Sequence, residues 1–188
     1  EFVRKGVMNA HKYNEHSEKL PAIVYVQPKL NGIRCKAIRT ETGIIYTSRG
    51  NKTFNAVPDR ITRALLVKMS IGEEVDGEFF IPGVSLRKIS SAVKAFNEVY
   101  TPRLQFHVFD LATDNGEIFS RRYTKLEREW GPWWALNIHG VFLVETFLVT
   151  HGAELQDKYR EYLLRKFEGI MVRSPYAPYQ AGIRSYSI

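Results

Sequence analysis

The stretch "VYVQPKLNGIRCKAI", residues 24–38, holds two strand-like runs separated by a polar link. Val24 and Val26 alternate before the link, and Ile33, Cys35 and Ala37 alternate after it, which is the period of half-buried strands. Pro28 and the pair Asn31-Gly32 tolerate the dihedrals of a hairpin corner, so the stretch predicts a β-hairpin with Lys29 at its bend. An ordinary solvated lysine satisfies this stretch as well as a functional one does.

Outward from this stretch, further strand-like runs are "GIIYTS" (43–48), "EEVDGEFFI" (73–81), "LQFHVFDLA" (104–112), "GVFLVETFLVT" (140–150) and "EGIMVR" (168–173). Helical patterns fill the gaps at 58–69, 85–96, 121–130 and 151–167. In the second of these Ser85 reads as the N-cap, with Leu86, Ile89, Val93 and Phe96 on one face. Hairpins mixed with separate helices predict an α+β fold of antiparallel sheets flanked by helices, not a doubly wound parallel sheet. With no repeat, low-complexity tract or Gly/Ser-rich linker, the chain reads as one domain.

The composition bounds the chemistry. The 188 residues are 44% hydrophobic and 25% charged, enough for a proper core. Lys and Arg outnumber Asp and Glu by 27 to 20, and the net charge of +7 favours a polyanionic partner. No apolar run reaches the roughly 18 residues of a membrane span, so no membrane role is expected. The single Cys35 excludes an internal disulfide and fits a reducing, cytoplasmic compartment. His11, His16, His107, His139 and His151 are scattered without zinc-ligand spacing. The chain begins with Glu1 rather than Met, and reads as a piece of a longer protein with a cloning scar at Glu1-Phe2.

Four short stretches carry chemistry-bearing residues: "KLNGIR" (29–34), "EVDGEFF" (74–80), "FHVFDLA" (106–112) and "FEGIMVRSP" (167–175). Asp76 and Glu78 project to the same face of a strand. Two carboxylates there are costly to bury without a metal or polar ligand; a solvated outer face is the alternative. Strict alternation puts Phe109 with His107 and Leu111, opposite Phe106, Val108 and Asp110. Phe109 is then either a stacking platform or a core residue. Glu168-Gly169 opens an apolar strand that ends at Arg173, and also fits a simple turn.

The order of these stretches is distinctive. K-x-N-G, then S-R-G at Ser48 to Gly50, D-G-E, F-D and E-G-I-M-V-R resemble the ordered motifs of the covalent nucleotidyltransferases. Within that superfamily, whose fold is ATP-grasp-like, the chain most resembles the adenylation domain of the small ATP-dependent DNA ligases, of the Chlorella virus and phage kind. The resemblance extends over nearly the whole chain and includes "SSAVK" after the D-G-E strand and "RRYTKLE" after the F-D strand.

The resemblance implies ATP and Mg²⁺ as cofactors, nicked duplex DNA as substrate and a monomeric enzyme. It makes Lys29 the nucleophile that becomes Lys-AMP, an amine that attacks only when neutral. It gives Arg34 the nucleotide sugar and Arg49 a phosphate, including the 5′-phosphate at a nick, for which a guanidinium fork is suited. It assigns Glu78 to the ribose, Phe109 to adenine stacking, Gln27 to the base edge, Glu168 to the metal, Arg173 to the nucleotide and Arg184 to the nick phosphate. Asn31 departs from the family's usual K-x-D-G; asparagine at this position in some tRNA ligases makes an RNA ligase the nearest rival, with a non-catalytic nucleic-acid-binding module behind it. Residues 1–188 are expected to be the adenylation domain, ending just before the paired lysines of the family's last motif and its OB-fold domain.

Overall fold

The hairpin expected at residues 24–38 does not form. A computed structural model of the chain describes residues 7–13, 19–113, 115–132, 134 and 137–185, and it places the two runs in different sheets. After a short β1 (Asn9–Ala10), β2 (Ile23–Lys29) runs antiparallel between β9 (Phe147–Thr150) and β10 (Gly169–Arg173). By contrast β3 (Ile33–Arg39) pairs with β4 (Ile44–Ser48) and β5 (Glu74–Phe80). Lys29 is therefore the last residue of a strand, and residues 30–32 carry the chain from one sheet to the other.

Gly32 is needed for close approach, not for a turn. Neither Asn31 nor Gly32 has a positive φ, but a Cβ on Gly32 would stand 2.3 Å from the Phe79 carbonyl oxygen and 2.7 Å from Glu78 Cγ. Pro28 is tolerated in β2 because the pairing with β9 ends at Val26 opposite Phe147, so its missing N–H breaks no bond on that side.

The larger sheet has the order β4-β3-β5-β6-β8-β7, adding β6 (Gln105–Leu111), β8 (Val141–Leu143) and β7 (Asn137–Ile138). All its pairings are antiparallel except β6 with β8. The run at 140–150, read as one strand, is two: Val144 donates its N–H to the Val108 carbonyl (2.8 Å) as the chain leaves β8 and enters β9 of the smaller sheet. β1 pairs in parallel with β11 (Arg184–Ser185).

One irregularity overturns the expected faces of β6. Asp76 pairs with Asp110 but Gly77 with Val108, so Phe109 is an extra residue, a β-bulge. The bulge moves Leu111 onto the core face with Phe106 and Val108, and leaves Asp110 beside Asp76. Phe109 packs separately, with Leu30 and Val144.

Three helices, α1 (Asp59–Lys68), α2 (Leu86–Lys94) and α3 (Phe119–Trp130), contribute Ile61, Leu65, Ile89, Val93, Tyr123 and Leu126 to the core of the larger sheet. Each such fully buried large apolar side chain stabilises the fold by roughly 1.5–3 kcal/mol. α2 ends earlier than expected: Ser85 stands at the N-cap without a side-chain cap bond, Thr101 Oγ1 donates to the Ala92 carbonyl (2.9 Å), and Phe96 is left outside the helix, 71% exposed. α4 (Ala153–Leu164) covers the smaller sheet, with Leu155 and Tyr162 against Val24, Val26, Val149 and Val172.

The Gly32 crossing gives a direct test. Gly32→Ala is expected to cost about 1–3 kcal/mol through overpacking, whereas Gly50→Ala, whose Cβ would meet nothing within 4 Å, is expected to be nearly neutral. Thermal melts of the two variants should differ by several degrees; equal melts would show that the crossing has room to spare.

Candidate active site

Where the two sheets meet, β2, β3, β5, β6 and β10 enclose a cleft of about 50 Å³. Lys29, Gln27, Arg34, Glu78, Phe109 and Arg173 all line it. Glu168, just before β10, joins them through Lys29: its Oε2 is 3.0 Å from Lys29 Nζ, with both side chains about half exposed at 48% and 46%. The two backbones are also tied, the Glu168 N–H donating to the Lys29 carbonyl (3.2 Å). The cleft thus unites residues from four widely separated sequence stretches.

The remaining expected residues stand elsewhere. Arg49 is exposed in the turn after β4 and does not line the cleft. Arg184 has its backbone in β11, opposite Asn9, and its side chain lies outside the described structure. Asn31 is exposed on the link that leaves Lys29.

Behind the cleft lies a polar network that sequence reasoning did not assign. Asp110 is fully buried and accepts from Arg122 Nε and Nη2 (2.8 and 3.0 Å) and from Arg173 Nη1 (3.1 Å). Asp76, also fully buried, accepts from Arg34 Nε and Nη2 (2.7 and 2.6 Å) and from the Tyr179 hydroxyl (2.6 Å). Arg34 Nη2 donates further to the Met8 carbonyl (2.9 Å), and Arg122 Nη1 to the carbonyls of Ala177 (2.9 Å) and Glu117. Burial acts against the Arg34 charge, but Asp76 more than offsets it and the pKa is raised; for Arg173 burial prevails over Asp110 and the pKa is lowered. The available signal was the second arginine of "RRYTKLE" following the F-D strand, two motifs whose pairing only the fold reveals.

Gln27 is held as firmly. Its Nε2 donates to the Phe109 carbonyl (3.1 Å) and to Thr146 Oγ1 (3.0 Å), and its Oε1 accepts from Arg173 Nε (2.7 Å). Both amide N–H groups are thus engaged within the protein, and turning either toward a base would require exchanging one of these bonds. Phe109 is 8% exposed, with the guanidinium carbons of Arg34 and Arg173 at 4.8 and 5.2 Å from its ring centroid.

The arrangement of two sheets meeting over a lysine at a strand end, with flanking helices, matches the fold of the nucleotidyltransferase domain of ATP-dependent ligases. The chain belongs to the ATP dependent DNA ligase domain family, whose model matches residues 7–188. A probable DNA ligase of Dictyoglomus turgidum is 27% identical over 179 residues, 86% of this chain and 30% of the relative. The chain therefore spans under a third of the length of that curated relative. Among solved structures, the Chlorella virus DNA ligase-adenylate aligns with a TM-score of 0.73 at 22% identity, over 98% of this chain and 65% of that one. The ATP-dependent DNA ligase of bacteriophage T7, in complex with ATP, gives 0.71 at 17%, over 97% and 67%. At these identities the structural likeness concerns the fold.

Glu78 has a distinct electrostatic position in the cleft. Burial pushes its pKa up to about 7, against the opposing effects of Arg34 and the Gly32 N–H, which donates to Oε1 at 2.9 Å; Asp76 and Glu168 push it further upward. A carboxyl whose pKa is higher folded than unfolded binds its proton more tightly in the native state. Stability is then greatest below the unfolded pKa and falls as pH rises toward 7. Glu78→Gln removes this titration, so its melting temperature relative to the parent should rise between pH 5 and 7.5. A parallel pair of stability profiles across that range would show that Glu78 ionises normally.

Proposed function

We propose that this chain is the adenylation domain of an ATP-dependent polynucleotide ligase that seals nicked DNA through a covalent lysyl-AMP intermediate. The observation that carries the reading is Lys29 at the mouth of a cleft lined by Gln27, Arg34, Glu78, Phe109 and Arg173, with Glu168 3.0 Å from its ammonium. Membership of the DNA ligase domain family supports DNA over RNA. Asn31, the feature shared with some RNA-joining enzymes, favours the alternative.

In this reading the Lys29 ammonium, half exposed, releases a proton to water and its nitrogen attacks the α-phosphorus of ATP. An N–P bond forms as the bond to the bridging oxygen breaks. That oxygen leaves with the electron pair in pyrophosphate, and the remaining excess proton passes to solvent. AMP then moves to a 5′-phosphate, and a 3′-hydroxyl displaces it. Phe109 supplies the face for adenine, Glu78 the contact to the ribose, and Arg34 and Arg173 positive charge near the nucleotide. Gln27 holds Arg173 and the Phe109 backbone in place beneath the base. The cleft at about 50 Å³ is far smaller than the roughly 300–1,000 Å³ of ligand sites, so nucleotide entry opens it. Arg49 and Arg184 serve the nucleic-acid phosphates outside it.

The described residues contain no group of three or more His, Cys, Asp and Glu able to cage a metal. Glu168, a half-exposed carboxylate beside the nucleophile, fits a Mg²⁺ held by one or two carboxylates, water and substrate phosphates. Mg²⁺ bound there supplies neutralisation of phosphate charge. The sealing steps are proposed for the whole protein, in which residues 1–188 handle the nucleotide.

ATP labelled at the α-phosphate tests this reading. The parent protein should take up a covalent label, and Lys29→Ala none; nick joining on DNA should exceed that on RNA. Label uptake that survives Lys29→Ala, or DNA binding with no label in the parent, would reject it. Phe109 offers a second test: Phe109→Ala should weaken ATP binding by about 1–3 kcal/mol. A core role alone would instead show as a stability loss of roughly 3–5 kcal/mol with ATP affinity retained by the folded fraction.

A further inference from the structure

Arg34 lines the cleft already bound to the protein, and part of what binds it comes from opposite ends of the described chain. Asp76 accepts from its Nε and Nη2 (2.7 and 2.6 Å), and Nη2 donates again to the Met8 carbonyl (2.9 Å). Among the described residues Nη1 has no hydrogen-bond partner. Met8 stands just before β1, which pairs in parallel with β11. Tyr179, 1% exposed, packs with Met8 and Ala112 in a small apolar cluster. Its hydroxyl donates to Asp76 Oδ2 (2.6 Å) and accepts from the Met8 N–H (3.3 Å). Tyr179, Asp76, Arg34 and the Met8 backbone therefore form a closed ring of hydrogen bonds. Burial and the adjacent Asp76 carboxylate raise the pKa of the hydroxyl, so it keeps its proton and remains a donor to Asp76.

We infer that Tyr179 is a positioning residue for the adenylation of Lys29: acting through Asp76, it holds the Arg34 fork so that Nη1 is the arm left for the nucleotide. The inference rests on the reading that the cleft takes ATP. A bidentate carboxylate–guanidinium pair is rigid within itself but turns as a unit, so it aims the guanidinium only as firmly as the carboxylate is itself anchored. The Tyr179 proton supplies that anchor, from a ring immobilised by burial. Lys36 lies opposite Asp76 in the β3–β5 register, a second cation toward which an untethered carboxylate would be drawn, taking Arg34 with it. Such a shift acts directly on the site, because the guanidinium carbon stands 4.8 Å from the centre of the Phe109 ring. Small displacements of a group that orients a substrate are costly to rate.

Tyr179→Phe deletes the hydroxyl and keeps the ring in its cluster. The second-order rate constant for adenylation of Lys29 by ATP, per folded molecule, should fall about tenfold, the effect of one hydrogen bond to a charged group. Tyr46→Phe is the control. That hydroxyl, 2.9 Å from Thr62 Oγ1, belongs to a tyrosine buried in the core of the larger sheet, and its loss should lower the melting temperature without changing adenylation. Arg34→Lys keeps a charge beside Asp76 and removes the fork, so adding Tyr179→Phe to it should lower the melting temperature further but leave adenylation unchanged. Equal rate constants for Tyr179→Phe and the parent would overturn the inference. So would an undiminished tenfold loss in the Arg34→Lys background, which would mean that the hydroxyl acts by another route. Should Arg34→Lys fail to fold, the control decides: a fall in Tyr179→Phe alone supports the inference, and an equal fall in both tyrosine variants rejects it. A parent protein that takes no label rejects the proposed function and this inference with it, whereas normal labelling of both parent and Tyr179→Phe rejects the inference alone.

Discussion

The arrangement depends on two carboxylates with no exposure, Asp76 and Asp110, that face each other across β5 and β6. Side by side and away from water, two such charges are strongly unfavourable. Three guanidiniums offset this cost, Arg34 on Asp76 and Arg122 and Arg173 on Asp110. Each arginine comes from a different element: Arg34 from β3, Arg122 from α3 and Arg173 from β10. Satisfying the carboxylates therefore brings the smaller sheet and a helix against the larger sheet. Buried charge of this kind contributes little net stability but strongly penalises any packing that leaves a member unpaired. Its effect is to select one relative placement of the sheets.

The bulge at Phe109 makes this pairing possible. With regular alternation Asp110 would lie on the face of Phe106 and Val108, inside an apolar core where nothing could pair with it. One extra residue turns it toward Asp76 and the arginines, and it sets the Phe109 ring apart among Leu30 and Val144, below two guanidiniums. The same local departure from a regular strand thus supplies both the anchor for the sheets and the aromatic face of the cleft, in keeping with the frequency of bulges beside functional sites.

Much of this was legible in the sequence where the signal is local. The period of two gave the strands, Ser85 marked a helix start, and the shared face of Asp76 and Glu78 followed from alternation alone. What failed depended on distant partners. The link at residues 30–32 has the residues of a hairpin, yet β2 and β3 each find better neighbours more than a hundred or some forty residues away, Gly169 opposite Lys29 and Phe79 opposite Ile33. The apolar run at 140–150 gives no sign that it serves two sheets, because each half is an ordinary buried strand. Phe96 fitted the periodicity of α2 but lies beyond the point where Thr101, not yet reached in the pattern, takes the Ala92 carbonyl. The candidate site was recoverable through motif order, since each motif is weak and only their sequence along the chain is informative.

Within the cleft the side chains are held with very different firmness. Gln27, Arg34 and Arg173 are each fixed by hydrogen bonds to partners that are themselves buried or part of the backbone. Lys29 is held by an ion pair with Glu168 in which both side chains are about half exposed, at 46% and 48%. Pairs of that exposure are worth little, because water and salt screen them and two flexible side chains must be ordered. For recognition, rigidity is an advantage, since a preorganised group loses little freedom on binding. A nucleophile has the opposite need: it must shed a proton, leave its partner and close on phosphorus within one reaction. A weak, solvent-accessible ion pair keeps Lys29 extended over the cleft while costing little to break, so the least firmly held side chain of the site is the one from which the proposed chemistry demands motion.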